Sequence, residues 1–166
     1  QAVIIYNGFV MPSWYYIKNQ DLHNRADMDG VIQSELLVRA LINEQIDNAI
    51  QASNIILVGF SQGGVMSLFT GLRFEKSLAG IIALSCYLPI KNQLPELLSV
   101  ANNNTPILQH HGEQDEVVPL SAGKMANELM KSNGYQTQWE TYSMGHSVLP
   151  QQLNDIGKWI ANCLSH

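Results

Sequence analysis

Long apolar runs, clustered basic residues and paired cysteines are all scarce in this sequence of 166 residues. No stretch reaches the ~18 consecutive apolar residues that a membrane-spanning helix needs. Nine Lys and Arg stand against 14 Asp and Glu, and the net charge of -5 comes without a basic stripe. That balance argues against nucleic acid or an anionic membrane as a partner. The first residues also lack the charged head and apolar run of a signal peptide, so we expect a cytoplasmic location and no stable membrane insertion.

The residues that form disulfides or bind metals are few and poorly arranged for either. Cys86 and Cys163 are the only cysteines, and without a CxxC spacing they are predicted to be buried or half-buried free thiols, as in a reducing compartment. His110 and His111 stand side by side near Glu113, which could indicate a metal site. Neighbouring residues of a strand point to opposite faces, however, so a shared metal is not expected. We predict no metal and no organic cofactor.

The rest of the sequence alternates between strand patterns and helix patterns. Short apolar runs bounded by turn signals predict buried strands at 55–59, 78–85 and 106–110. A segment with period-two alternation predicts one more strand at 137–142. Apolar residues at three- and four-residue steps, or capping signals, predict helices at 31–52, 65–74, 94–101, 121–132 and 150–164. Asn133-Gly134 is a helix stop signal. Residues 1–166 are therefore predicted to form one α/β domain, a mostly parallel sheet with helices on both faces.

The segment Gly59-Phe60-Ser61-Gln62-Gly63 carries the strongest chemical signal. A G-x-S-x-G motif between a buried strand and a helix is typical of a nucleophile elbow. On such a turn the serine adopts an unusual backbone conformation, and glycines two positions away avoid a collision. The backbone N–H of Gln62, at a helix N-terminus, is predicted to donate to an oxyanion. Two other interpretations stay open: a tight turn with Ser61 as an N-cap, and a nucleotide-binding loop, although the G-x-G-x-x-G spacing is absent.

A nucleophilic serine needs a base and an orienting acid, which in this type of fold follow it in the order acid, then histidine. Asp115 lies in the loop after the third predicted main-sheet strand, and His146 lies in the loop before the last helix. Ser61, Asp115 and His146 are therefore predicted to form a catalytic triad. Glu113 and Glu116 could take the place of Asp115, but they are interpreted more simply as solvated loop charges.

Four large side chains are candidates for an acyl-binding pocket. They are Trp14, Tyr15, Tyr87 and Leu88. Each is equally consistent with a place in the hydrophobic core, so the sequence leaves their role open.

Five segments together resemble the phospholipase/carboxylesterase family of α/β-hydrolases, which includes bacterial carboxylesterases and the acyl-protein thioesterases. They are MPSWYYI at 11–17, GFSQGG at 59–64, GIIALSCYLP at 80–89, HGEQDEVVP at 111–119 and MGHSVLP at 144–150. The resemblance implies the α/β-hydrolase fold, with Ser61 as nucleophile, Asp115 as orienting acid and His146 as base. It also implies a cytosolic, cofactor-independent hydrolase of small esters or thioesters, often a homodimer.

Two features depart from the family pattern. Tyr16 stands where the family usually has Asp, which bears on how the loop is anchored but not on the triad. The family also begins with strands and a His-Gly-Leu-Gly loop before the region that matches Gln1, and that loop supplies a second oxyanion N–H. We therefore predict a domain that lacks its N-terminal strands. Loss of one oxyanion donor lowers turnover by ~10²–10³.

The sequence as a whole predicts a serine hydrolase that cleaves carboxylic esters, a carboxylesterase, through an acyl-enzyme intermediate. One alternative is an acyl-protein thioesterase or lysophospholipase, which would use the same triad on lipid-chain substrates. The other is an inactive binding protein with the hydrolase fold, which the missing front segment makes credible. The expected partners are a small ester or thioester substrate and, in a homodimer, a second copy.

Overall fold

The computed structural model describes residues 2–4, 10–17, 26–89 and 98–165 of the chain. Within these ranges an antiparallel pair of short strands accompanies a sheet of four parallel strands. In chain order the elements are β1 (Ala2–Ile4), β2 (Val10–Pro12), α1 (Met28–Asp47), β3 (Ile56–Phe60), α2 (Gln62–Gly71), β4 (Gly80–Leu84), β5 (Ile107–Gly112), α3 (Leu120–Ser132), β6 (Thr137–Tyr142) and α4 (Pro150–Cys163). The alternation of parallel strands with helices confirms the predicted α/β class.

The parallel sheet has the strand order β3-β4-β5-β6, so each strand lies beside the next one along the chain. The register pairs Phe60 with Leu84, Leu84 with His110, and Gly112 with Tyr142. Because all four strands run the same way, their carboxyl ends meet at one edge of the sheet. The loops that follow β3, β5 and β6 therefore all begin at this edge.

Helices cover both faces of the sheet, as predicted. Neighbouring residues of β4 divide between the two faces: Ile81 belongs to the larger core cluster, and Ile82 belongs to a smaller one. The larger cluster contains side chains from α1, α2 and α3, and the smaller one packs Ile82 and Leu108 against Ile156 of α4. Continuous apolar strands are the expected sequence of a sheet buried in this way.

The prediction that the strand before Ser61 is buried is wrong in part. Val58 is 53% exposed and Phe60 is 36% exposed, and both lie on the face of β3 that carries Ile56. In the described part of the chain β3 is the end strand of its sheet, paired with β4 alone. A strand with one neighbour leaves part of its surface to solvent, and this explains the exposure.

Two helix predictions differ most from the structure, while the first turns of α1 and α2 begin three residues earlier than predicted. α1 ends at Asp47, although its apolar pattern continues to Ala52. Residues 94–97 of the predicted helix at 94–101 lie outside the described residues, and the described part contains the start of a 3-10 turn, Val100–Asn102. No helix within the described ranges combines the length and apolar character needed to cross a membrane.

The two cysteines are free thiols, as predicted. Cys86 is buried beside α2, and burial raises the pKa of its thiol to about 12. Cys163 is half-buried at the end of α4. A thiol with so high a pKa stays protonated at neutral pH, so Cys86 acts as a small core residue.

Candidate active site

Ser61 occupies a sharp turn between β3 and α2. Its backbone has φ 54° and ψ -120°, in the region that residues other than glycine rarely adopt. Its N–H donates to the carbonyl of Leu84 at 2.8 Å, and its own carbonyl accepts from the N–H of Val65 at 3.1 Å. Neighbouring elements on both sides thus hold a conformation that by itself costs about 1–3 kcal/mol. Strain of this kind, at a strand-to-helix turn, is what the G-x-S-x-G motif predicts.

The glycines around Ser61 differ in how much space they leave for a side chain. A Cβ atom at Gly59 would lie 2.0 Å from the carbonyl oxygen of Gly63, so this position admits no side chain. At Gly63 a Cβ would meet only ordinary contact, with Trp14 Nε1 at 3.8 Å among the described residues. At Gly64 it would lie 2.9 Å from the Cβ of Cys86. The predicted collision of a side chain is therefore found at Gly59. After the serine, the position without room for a side chain is Gly64 and not Gly63.

Asp115 and His146 form a hydrogen-bonded pair at the same edge of the sheet. His146 Nδ1 lies 2.7 Å from Asp115 Oδ2. The other carboxylate oxygen accepts the backbone N–H groups of Val117 at 2.9 Å and Val118 at 2.8 Å. The Asp115 side chain is fully buried, and the imidazole is 17% exposed. The imidazole therefore keeps some contact with solvent while its Nδ1 is held by Asp115.

The electrostatics of this pair keep Asp115 ionised. Burial raises the pKa of Asp115, but the hydrogen bond from His146 and those from the N–H groups of Val118 and Val117 outweigh it. The net result is a pKa below the usual range of the carboxyl group. An ionised carboxylate accepts the Nδ1 proton, which leaves the lone pair of the neutral imidazole on Nε2.

Phe60 brings His146 to the serine turn. The ring of Phe60, the residue before Ser61, lies 4.6 Å from the imidazole of His146 between centroids, at an interplanar angle of 41°. Among the described residues no hydrogen bond joins the Ser61 hydroxyl to the imidazole. In serine hydrolases generally, the hydrogen bond between serine and histidine is often long without substrate and tightens in the reactive complex.

The three carboxylates of the loop after β5 have different surroundings. Glu113 is exposed and accepts a hydrogen bond from the hydroxyl of Thr141 at 3.1 Å, and Glu116 is also exposed. Asp115 alone among them is buried and bonded to a histidine. This difference favours Asp115 over its two neighbours as the acid, which the sequence left as alternatives.

His111 supports the loop that carries Asp115, a role that the sequence analysis missed. Its Nε2 lies 2.8 Å from the carbonyl oxygen of Val118 and 3.7 Å from Asp115 Oδ2. Its ring stacks on Trp139, and a Cβ at Gly123 would come within 2.4 Å of its Nδ1. His111 is 1% exposed, so it is a buried support behind Asp115. The short distance in sequence to Asp115 was the available signal.

His110 points to the opposite face of the sheet, as expected for adjacent strand residues. Its ring lies 5.0 Å from that of Tyr142, whose hydroxyl donates to Asp155 at 3.0 Å. Burial lowers the pKa of His110 to about 4, although the charge of Asp155 acts to raise it. The described residues contain no group of three or more His, Cys, Asp or Glu placed to hold a metal ion.

Gln62 begins α2, with its backbone N–H at the helix start directly after Ser61. Its side chain makes two further contacts that no local pattern predicted. Oε1 accepts the backbone N–H of Trp14 at 3.0 Å, and Nε2 donates to the carbonyl of Tyr15 at 3.1 Å. These partners are 48 and 47 residues away in the sequence, which explains why the motif alone did not reveal them.

The candidate pocket residues divide between the site and the core. Trp14 is partly buried, and its indole nitrogen lies near the first turn of α2. Tyr15 is fully buried and Tyr87 is 6% exposed, and their hydroxyl groups lie 3.1 Å apart. Leu88 is partly buried against the same core cluster. Trp14 therefore lies beside the helix that begins after Ser61, while Tyr15 and Tyr87 contribute mainly to packing.

A strained serine at a strand-to-helix turn, beside an Asp–His pair at the carboxyl edge of a parallel sheet, defines the α/β-hydrolase class. The Phospholipase/Carboxylesterase family model matches residues 1–164. The chain therefore belongs to this family of hydrolases, and the predicted resemblance is confirmed.

Curated relatives and solved structures agree with this assignment. Acyl-protein thioesterase 1 of Gibberella zeae is 38% identical over 157 residues, covering 90% of this chain and 67% of the relative. Acyl-protein thioesterase 1 of Neurospora crassa is 39% identical over 165 residues, covering 95% of this chain and 67% of the relative. The crystal structure of Arabidopsis thaliana SOBER1 superposes with a TM-score of 0.88 at 30% identity, covering 96% of this chain and 77% of that one. The chain thus spans about two thirds of the length of these curated relatives.

Proposed function

We propose that this protein is a serine hydrolase that cleaves carboxylic esters with Ser61, His146 and Asp115. The observation that carries the proposal is the 2.7 Å hydrogen bond between Asp115 and His146 beside a serine held at positive φ. A hydroxyl, an imidazole and an ionised carboxylate in this order are the three parts that nucleophilic catalysis by serine requires.

In the proposed mechanism His146 Nε2 removes the proton of the Ser61 hydroxyl while the serine oxygen attacks the ester carbonyl carbon. The backbone N–H of Gln62 donates to the carbonyl oxygen as it becomes negative. The protonated imidazole then gives its proton to the departing alcohol, and the acyl group stays on Ser61. Water, deprotonated by His146, attacks the acyl-enzyme, and the carboxylic acid leaves with Ser61 restored.

Asp115 contributes by orientation and by charge. Its hydrogen bond to Nδ1 fixes the imidazole tautomer that leaves Nε2 basic. Its negative charge stabilises the imidazolium that forms in both steps. The N–H groups of Val117 and Val118 hold the carboxylate in place, so the pair needs little rearrangement during the reaction.

A second candidate is a thioesterase acting on acylated protein cysteines. It is favoured by the names of the two relatives at 38% and 39% identity, both acyl-protein thioesterase 1. The same three residues would serve, because a thioester carbonyl is attacked in the same way. Turnover of p-nitrophenyl esters of rising chain length, compared with turnover of palmitoyl-thioester peptides, separates the two substrates.

Labelling with a fluorophosphonate probe tests the mechanism common to both candidates. We expect the wild-type protein to be labelled and Ser61→Ala to remain unlabelled. Ser132→Ala, at an exposed serine near the end of α3, is the matched control and should be labelled like the wild type. A folded wild-type protein without labelling would favour the inactive binding protein, and equal labelling of Ser61→Ala would refute the assignment of the nucleophile.

A further inference from the structure

The segment 13–17, called the 13–17 loop below, is fastened to the main domain by side chains from separate elements. Gln62 bonds to the N–H of Trp14 and to the carbonyl of Tyr15. From α1, Ser34 donates its hydroxyl to the carbonyl of Trp14. The Tyr15 hydroxyl meets that of Tyr87 after β4. The loop is thus held at consecutive residues, mostly through its backbone.

Gln62 is the tether that connects this loop directly to the reacting centre. An amide side chain can accept and donate at the same time, and here it uses both capacities on adjacent residues. The backbone N–H of the same residue is the proposed oxyanion donor. Gln62 therefore links the position of the proposed oxyanion donor to the position of the 13–17 loop.

Trp14 is the part of the loop that lies against the first turn of α2, the helix that begins directly after Ser61. Its indole nitrogen lies 3.8 Å from the position of a Cβ at Gly63, two residues after Ser61. From there the ring would form an apolar wall for an acyl group carried by Ser61. The wall has a fixed position only as long as the backbone of Trp14 is held.

We propose that the side chain of Gln62 is a positioning residue that holds Trp14 as the acyl-side wall and so sets the preference for acyl-chain length. This inference rests on the proposed ester hydrolysis. Without the amide, the Trp14 N–H loses its Gln62 acceptor, while the Tyr15 carbonyl still accepts the Ser13 hydroxyl at 3.3 Å. The loop then has no Gln62 tether to the start of α2. The Trp14 wall can then move relative to Ser61, and such a displacement changes the hydrolysis rates of long and short acyl chains unequally.

The test measures kcat/KM for p-nitrophenyl acetate and p-nitrophenyl octanoate and takes their ratio. Gln62→Leu keeps the approximate size of the side chain but makes neither hydrogen bond, and we expect the ratio to change by about tenfold. Gln45→Leu, at an exposed glutamine of α1, is the matched control and should leave the ratio unchanged. Merely weaker folding would lower both rates together and leave their ratio as it was.

Ser34→Ala provides an independent approach, because it releases the same loop from α1 without changing α2. We expect it to shift the ratio in the same direction as Gln62→Leu. In the double variant the two shifts should combine to less than their product, because both act through the position of one loop.

The outcomes separate this inference from the proposed function. If the wild-type protein hydrolyses neither ester and resists fluorophosphonate, the proposed function fails and this inference fails with it. If the wild type is active and both Gln62→Leu and Ser34→Ala keep its ratio, the inference alone is overturned. If one variant does not fold, the other still decides the result.

Discussion

His146 Nδ1 and Asp115 Oδ2 lie 2.7 Å apart and join two loops across 31 residues of sequence. The bond matters for orientation because Asp115 is already held by two backbone N–H groups and cannot follow a moving imidazole. The pair therefore presents His146 in one tautomer. A conservative substitution at Asp115 can therefore change activity without changing the fold.

The first prediction concerns Asp115→Asn. Asparagine keeps the size of the side chain and an oxygen for the two backbone donors, but its amide favours the wrong imidazole tautomer. We expect kcat for p-nitrophenyl esters to fall by about 10⁴, with a circular dichroism spectrum like that of the wild type. Glu113→Gln, at an exposed carboxylate of the same loop, should change kcat less than about twofold. The reverse order of effects would identify Glu113 as the acid.

The second prediction compares two glycines of one motif. Gly59→Ala places a methyl group 2.0 Å from a backbone oxygen, so we expect a loss of more than about 4 kcal/mol in the free energy of unfolding, or no soluble protein. Gly63→Ala meets its nearest described neighbour at 3.8 Å and should change stability by less than about 1 kcal/mol. Urea unfolding measures both. Equal losses at the two positions would contradict this account of the turn.

The third prediction concerns the end of α1, where Ala49 has φ 69°. Bonds from Ala49 N to Ile46 O and from Ile50 N to Gln45 O form the two-bond helix stop that usually carries glycine. Ala49→Gly removes the left-handed strain, and after the entropy that glycine adds to the unfolded chain we expect a gain of about 0.5–1 kcal/mol.

Gly134 provides the matched control for Ala49. It has φ 87°, and it ends α3 with the same two bonds, from Gly134 N to Lys131 O and from Tyr135 N to Met130 O. A Cβ there would meet nothing within 4 Å, so Gly134→Ala isolates the backbone strain. We expect it to lose about 1 kcal/mol. The melting temperature and the urea midpoint should therefore rise for Ala49→Gly and fall for Gly134→Ala.

The fourth prediction is a pH dependence caused by His110. Well above pH 6.5, the ordinary pKa of histidine, the side chain is neutral in both states and does not make the free energy of unfolding depend on pH. As the pH falls below 6.5 the unfolded chain binds a proton that the folded protein refuses until about pH 4, so the free energy of unfolding decreases. His110→Gln should remove this decrease, which reaches at most about 3 kcal/mol.

Urea unfolding of the wild type and His110→Gln at pH 7.5 and pH 4.5 measures the effect. The quantity to compare is the difference between the two proteins, because Asp155 and other carboxyl groups titrate in both. That difference should shift in favour of the variant at the lower pH. A difference that stays constant with pH would mean that His110 takes up its proton in the folded state as readily as in the unfolded chain.

Two helix ends illustrate how far sequence reasoning reaches. Asn133-Gly134 predicted the end of α3 correctly, because glycine is the residue that the left-handed position favours. α1 ends with the same hydrogen bonds at Ala49, where the sequence carries no stop signal, and the predicted helix ran on to Ala52. The stop there is imposed by the chain turning to enter β3, which a local pattern cannot reveal.

The site shows the same division between local and distant information. Strand alternation correctly separated His110 from His111, since their faces follow from adjacency alone. The support that His111 gives to the Asp115 loop and the two bonds of Gln62 to the 13–17 loop were not predicted. Side-chain contacts of this kind depend on how loops from separate strands are brought together.

The sequence by itself determined the alternation of strands and helices, the position of the serine turn and the family, because periodicity, glycine spacing and ordered motifs are properties of short segments. Only the tertiary structure decided that Asp115 is buried against His146 while Glu113 and Glu116 face solvent, and that Val58 and Phe60 lie on an open face of the sheet. Burial and hydrogen-bond geometry depend on neighbours that are remote along the chain, and folding alone brings them together.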